Sequence, residues 1–134
     1  MRLVKNTLRS GTHAPHLPTV TAYLDTQALQ ELQEMLGDDL HEITSLYAGT
    51  LADDVQALKN TLAQANWAVL NRQAHSLKGS SANMGALEMA RLAALVEKAA
   101  LQADVATIQP AMDQMDAAAS ATLAAMRLGG YLKT

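Results

Sequence analysis

The fold of this chain is decided by the stretch from Asn66 to Gly85, which reads NWAVLNRQAHSLKGSSANMG. Asn66 can cap a helix by accepting a hydrogen bond from its first turn, and Gly85 can end that helix. Between them, apolar or small residues recur at steps of four and three, which is the period of one helical face. The predicted inward stripe consists of Leu70, Ala74, Leu77, Ser81 and Met84.

Similar helical patterns lie on both sides of this stretch, separated by capping aspartates and by glycines. The other predicted helices run from Thr26 to Leu36, from Asp38 or Asp39 to about Gln64, from Ala86 to about Leu101, and from Asp104 to Gly129-Gly130. The inward stripe predicted for the second of the five helices is Leu40, Ile43, Tyr47, Leu51, Asp54 or Val55, Leu58 and Leu62.

Pro110 leaves the start of the last helix open. If the helix begins at Asp104, this proline lies past the first turn, where it removes a hydrogen bond. A start nearer Ile108 would make the proline harmless, because a helix tolerates it in the first turn. Both starts are compatible with the sequence.

The composition favours an all-α protein, since the apolar residues are mainly Ala, Leu, Met and Val, with no Phe, one Trp and three Tyr. We predict an antiparallel four-helix bundle over residues 23–130, with the short additional N-terminal helix covering one end. Residues 1–22 contain Gly11, Pro15 and Pro18 without helical periodicity, and are predicted to be a loosely ordered arm.

Charge and cysteine content exclude several classes of function. The net charge of −3 and the lack of a basic run argue against nucleic-acid binding. No apolar run reaches the length of a membrane span, and no cysteine is present, so we expect a cytoplasmic protein that does not bind membranes. His13 and His16 are too few ligands for a zinc site, so no metal is expected. The protein is also expected to be a monomer.

A candidate reactive residue, His75, lies at the edge of the inward stripe of its helix. It follows Ala74 by one position, so its imidazole can face water. The residues predicted to share its face are Lys78, Gly79 and Ala82, with Asn71, Arg72 and Ala68 on the turns before. This neighbourhood is cationic and has little side-chain bulk.

These neighbours suit a histidine that accepts a phosphoryl group, which adds about −1.5 to −2 charges at neutral pH. Lys78 would meet that charge, and Gly79 would leave room for the donor. A glycine inside a helix costs about 1 kcal/mol relative to alanine, so its presence asks for a reason of this kind.

The run from His75 to Ala86, HSLKGSSANMGA, resembles the signature of histidine-containing phosphotransfer (HPt) domains. The likeness covers roughly residues 24–128. It implies a four-helix bundle that carries phosphoryl groups between aspartates of response-regulator receiver domains, in relays begun by a hybrid sensor kinase. It also implies a phosphohistidine carrier at His75 without a nucleotide site or cofactor of its own, with Mg²⁺ bound by the partner receiver.

The resemblance puts Glu97 where some family members have a glutamine that hydrogen-bonds to the active imidazole. A carboxylate there could fix the tautomer of the ring, although it would repel a phosphate that came too near. Arg72, Ser80 and Ala82 are further candidates for the rim of the site. The alternative function is a non-catalytic helical module that binds a receiver or kinase domain as an inhibitor or scaffold.

Overall fold

The computed structural model describes residues 23–133, so the predicted arm at residues 1–22 lies outside the described residues. The helices in this part of the chain are α1 (Thr26–Leu36), α2 (Asp39–Ala63), α3 (Trp67–Asn83), α4 (Leu87–Ala100) and α5 (Val105–Leu128). Residues 23–133 contain no β-strand, only an isolated bridge between Leu24 and Ala86. The predicted all-α class is therefore confirmed.

The caps set where most of these helices begin. The side chains of Asn66 and Asp104 accept hydrogen bonds from the backbone N–H groups of Val69 and Thr107, at 3.4 and 3.2 Å. The predicted aspartate cap of α2 is wrong. Asp38 precedes α2 in a helical conformation and makes no capping bond, because a capping side chain needs a more extended backbone to reach back to the helix.

The four longer helices form a closed bundle, in which each packs against the next along the chain and α5 packs against α2. The whole stripe predicted for α3 is buried. α1 covers one end, where Leu29 is fully buried and the N–H of Asp25 donates to the carbonyl of Gly85 at 2.7 Å. The bundle with a short capping helix agrees with the prediction, and it fixes α3 against α4.

The inward stripe of α2 differs from the prediction at its N-terminal end. Thr44 is fully buried, whereas the neighbouring Ile43 is 37% exposed. The cause is the C-terminal segment, in which Tyr131 accepts a hydrogen bond from Thr44 Oγ1 at 2.7 Å through its main-chain carbonyl. Further along α2, where the sequence left Asp54 and Val55 open, Val55 is the buried residue. Tyr131 and the following Leu132 are buried, so the packed core continues past residue 130.

Of the two starts that were open for the last helix, the structure has the earlier one, because α5 begins at Val105. Pro110 lies inside α5 and is exposed. The carbonyl of Ala106 therefore lacks its usual partner four residues later, but Ala106 is also exposed and water can satisfy it.

Candidate functional site

His75 lies on the solvent side of α3 next to its buried face. Its side chain is 68% exposed, while Ala74 and Leu77 on either side of it in the sequence are buried in the core. The buried neighbours hold the backbone of α3 rigidly against the bundle. The imidazole is thus presented to solvent from a fixed position.

One carboxylate connects the imidazole to a lysine. Glu97 on α4 approaches His75 Nδ1 with Oε2 at 2.5 Å, and its other oxygen, Oε1, lies 2.6 Å from Nζ of Lys78. The Glu97 side chain is 19% exposed and that of Lys78 is 38% exposed. The three side chains form a cluster on the surface between α3 and α4.

Asn71 ties the two helices together beside this cluster. Its Nδ2 donates to the main-chain carbonyl of Glu97 at 2.7 Å. Asn71 lies one turn before His75 on the same face of α3, as the spacing predicts. Its role in joining α3 to α4 does not follow from that spacing, because the acceptor is a main-chain atom of another helix.

The cluster keeps Glu97 charged. The hydrogen bond from the Lys78 ammonium, with a further one from His75, holds the pKa of the Glu97 carboxyl below its ordinary value, although desolvation acts in the opposite direction. A carboxylate accepts hydrogen bonds and cannot donate them. His75 must therefore carry a proton on Nδ1, and in the neutral ring Nε2 has the free lone pair.

The surface beyond the imidazole is open. A Cβ atom added at Gly79 would meet no atom within 4 Å, and Ala82 is exposed on the same face two turns after His75. No packing within the described residues requires glycine at position 79. Its bareness instead leaves access to the ring.

Comparison with known proteins identifies the family of this chain. The family model described as Hpt domain matches residues 12–126. The chain belongs to the HPt domain family. Membership gives it a phosphotransfer role in phosphorelays, in which HPt domains interact with receiver domains and kinases and act as carriers without kinase activity.

A solved structure shows the same fold as this HPt domain. The histidine-containing phosphotransfer protein B (HptB) from Pseudomonas aeruginosa PAO1 superposes with a TM-score of 0.74 at 23% sequence identity. The match covers 81% of this chain and 95% of that protein. A search of curated proteins found no match.

Two of the rim candidates of this HPt domain lie away from the imidazole contacts. Arg72 is exposed one turn before His75 and forms no ion pair with residues 23–133. Ser80 donates to the carbonyl of Leu77 at 3.2 Å and lines a groove between α2 and α3. The structure therefore brings together His75, Lys78 and Glu97, with Gly79 and Ala82 on the open side.

Ser81 is buried as predicted, and its hydrogen-bond partner is on another helix. Its Oγ lies 2.8 Å from the hydroxyl oxygen of Tyr47 on α2. Burial raises the pKa of Tyr47 to about 12, so the phenol stays neutral. This bond joins α2 to α3 in the interior of the bundle.

Within residues 23–133, the HPt domain has no group of three or more His, Asp or Glu side chains placed to hold a metal ion. No helix of the described residues is long and apolar enough to cross a membrane.

Proposed function

We propose that this chain is a phosphorelay intermediate that accepts a phosphoryl group on His75 from a receiver-domain aspartate and passes it to another receiver. The observation that supports this most strongly is the exposed imidazole whose Nδ1 is held by Glu97 at 2.5 Å, so that Nε2 faces open surface. Glu97 is proposed to orient the ring. Gly79 and Ala82 are proposed to keep the approach clear.

In the proposed reaction, the Nε2 lone pair attacks the phosphorus of an aspartyl phosphate. The N–P bond forms as the P–O bond to the aspartate breaks, and the electron pair of that bond leaves on the aspartate carboxylate. Lys78, one turn after His75, is proposed to stabilise the negative charge of the transferring group. We expect no cofactor on this chain, and Mg²⁺ would be supplied by the partner receiver.

The proposed partners are receiver domains and a hybrid sensor kinase. A groove next to the site, between α2 and α3, supports docking there, since it is lined by Leu46, Thr50, Ser76 and Ser80 among others. Leu46 is 71% exposed and Ile43, which lines the same groove, is 37% exposed, so the groove carries apolar surface that a partner could cover. We propose that the carrier works in the cytoplasm, because its proposed partners are intracellular signalling domains. We also propose that it is a monomer.

The test is incubation of the purified chain with a phosphorylated receiver domain and Mg²⁺. We expect phosphate on the chain that is stable to base and labile to acid, as for a phosphohistidine. Loss of this phosphate on addition of a second, unphosphorylated receiver would support the relay. Stable binding without any transfer would favour the non-catalytic scaffold instead.

Lys78→Ala is expected to slow phosphoryl uptake about tenfold without unfolding the protein, because a partly exposed cation beside the reacting group stabilises the transition state more than the fold. The rate is measured by rapid quenching after mixing with the phosphorylated receiver. Lys98→Ala is the matched control, because Lys98 is exposed on α4 and lines a groove toward α5. Equal rates for Lys78→Ala and Lys98→Ala would remove Lys78 from the mechanism.

Gly79→Gln is expected to slow transfer at least tenfold by placing bulk beside the imidazole where a partner must approach. Gly79→Ala separates this effect from helix propensity. Both variants should be more stable than the wild type by about 0.5–1 kcal/mol, since a Cβ meets open space there and a helical glycine is unfavourable. Only the glutamine should impair transfer, and an unimpaired Gly79→Gln would show that access at this position does not limit docking.

A further inference from the structure

Glu97 differs from a glutamine in one property that matters at this site: its side chain can only accept hydrogen bonds. Its two oxygens are both engaged, one by His75 Nδ1 at 2.5 Å and the other by Lys78 Nζ at 2.6 Å. Asn71 holds its main chain from α3 at 2.7 Å. The carboxylate is therefore fixed against Nδ1 and cannot easily turn away.

This arrangement constrains the phosphorylated ring as well as the free one. Attack through Nε2 produces a ring with the phosphoryl group on Nε2 and the original proton still on Nδ1. If that proton were lost, the Nδ1 lone pair would face the Glu97 carboxylate, and two acceptors would be forced together. A glutamine could rotate its amide and donate N–H to the bare nitrogen, so it is compatible with both states.

We propose that Glu97 keeps the phosphorylated His75 ring protonated on Nδ1, so that the phosphohistidine of this protein is discharged rapidly instead of being stored. This inference rests on the proposed function, because it concerns the intermediate of that reaction. Glu97 acts here as a positioning residue, since it works through the ring and does not touch the phosphoryl group.

The onward step explains why the proton matters. An aspartate oxygen of the acceptor attacks phosphorus, the N–P bond breaks, and its electron pair returns to Nε2. With a proton on Nδ1 the leaving group is neutral imidazole, and no proton has to move. Without that proton an imidazolate anion must leave, which is far less favourable, so transfer follows the protonated fraction of the ring.

Protonation of the ring depends on the charged groups near it, and Glu97 is the carboxylate that contacts it. On α3 the cations are Lys78 and, one turn before His75, Arg72; on α4 the neighbouring Lys98 faces the groove toward α5. Asp54 of α2 lies in the groove on the other side of α3, with Ser76 and Ser80. Among the described residues, no side chain of α2 or α5 forms an ion pair with His75 or Glu97.

The test compares the pH dependence of phosphoryl release in wild type and Glu97→Gln. Both are loaded chemically with phosphoramidate, and transfer to one receiver domain is followed from pH 6.5 to 8.5. The ratio of the two rates cancels the pH dependence of the acceptor. We expect the transfer rate of Glu97→Gln, divided by that of the wild type, to fall at least about tenfold between the lowest and the highest pH. The reason is that an ordinary histidine ring gives up most of its protons in this range.

Glu88→Gln is the matched control, because this substitution removes the same charge from the same helix, α4. Glu88 pairs with Arg91 and not with His75. Its profile should follow that of the wild type. Parallel profiles for Glu97→Gln and wild type would overturn the inference while leaving the proposed function intact. A wild type that takes no phosphate on His75 would instead overturn the proposed function.

A direct measurement serves if Glu97→Gln cannot be loaded. The ¹⁵N chemical shifts of the phosphorylated wild-type ring report whether Nδ1 carries a proton. We expect a protonated Nδ1 at pH 8, and an unprotonated one at that pH would overturn the inference without use of any variant.

Discussion

His75→Gln is expected to abolish phosphoryl uptake from a phosphorylated receiver domain while the bundle stays folded. A glutamine amide has no nucleophilic nitrogen, so no covalent intermediate can form. The fold should tolerate the change, because the His75 side chain is 68% exposed and its hydrogen bond is to Glu97 on the surface. We expect the free energy of unfolding to change by no more than about 0.5 kcal/mol, as for most surface substitutions.

The measurement is the acid-labile, base-stable phosphate bound per chain after incubation with the phosphorylated receiver. His41→Gln is the matched control, because His41 is the other histidine within residues 23–133 and lies on α2. It should take up phosphate like the wild type. Undiminished labelling of His75→Gln, with the phosphate mapped to a different residue, would mean that the wrong nucleophile has been assigned.

The helices themselves were largely predictable because their signals are local. The stripe of α3 and its end at Gly85 follow from spacing within one segment, and the structure buries every residue of that stripe. The α2 stripe failed at Ile43, because Thr44 is drawn inward by the carbonyl of Tyr131, a residue far away in the sequence. Sequence periodicity carries no information about such a distant partner.

The candidate site was predictable to a similar degree. The shared face of His75 and Lys78 follows from positions on one helix. The resemblance to HPt domains indicated Glu97 as a neighbour of His75. Its simultaneous contact with His75 and Lys78 depends on how α3 and α4 pack. The hydrogen bond of Asn71 to the main chain of α4 is hidden for the same reason.

Gly85→Ala is expected to destabilise the bundle by about 2–4 kcal/mol, a larger loss of stability than we expect from any substitution at the phosphotransfer site. Gly85 has a φ of +66°, a conformation that costs an L-residue about 1–2 kcal/mol. An added Cβ would also lie 3.1 Å from the main-chain oxygen of Asp25. The carbonyl of Gly85 accepts a hydrogen bond from the N–H of Asp25 at 2.7 Å, so the two backbone segments cannot separate without losing that bond.

Gly130→Ala isolates the contribution of this close approach. Gly130 follows α5 in the same kind of turn, because the N–H of Tyr131 donates to the carbonyl of Met126 as that of Ala86 donates to Ser81. Gly130 also has a positive φ, of +82°, but a Cβ there would meet nothing within 4 Å. Its cost should therefore be the conformational one alone, about 1–2 kcal/mol. Urea denaturation of the two variants measures the difference directly. Equal losses of stability would mean that Asp25 shifts to make room for the added Cβ. The contact between Gly85 and Asp25 would then not help to hold α3, the helix that carries His75.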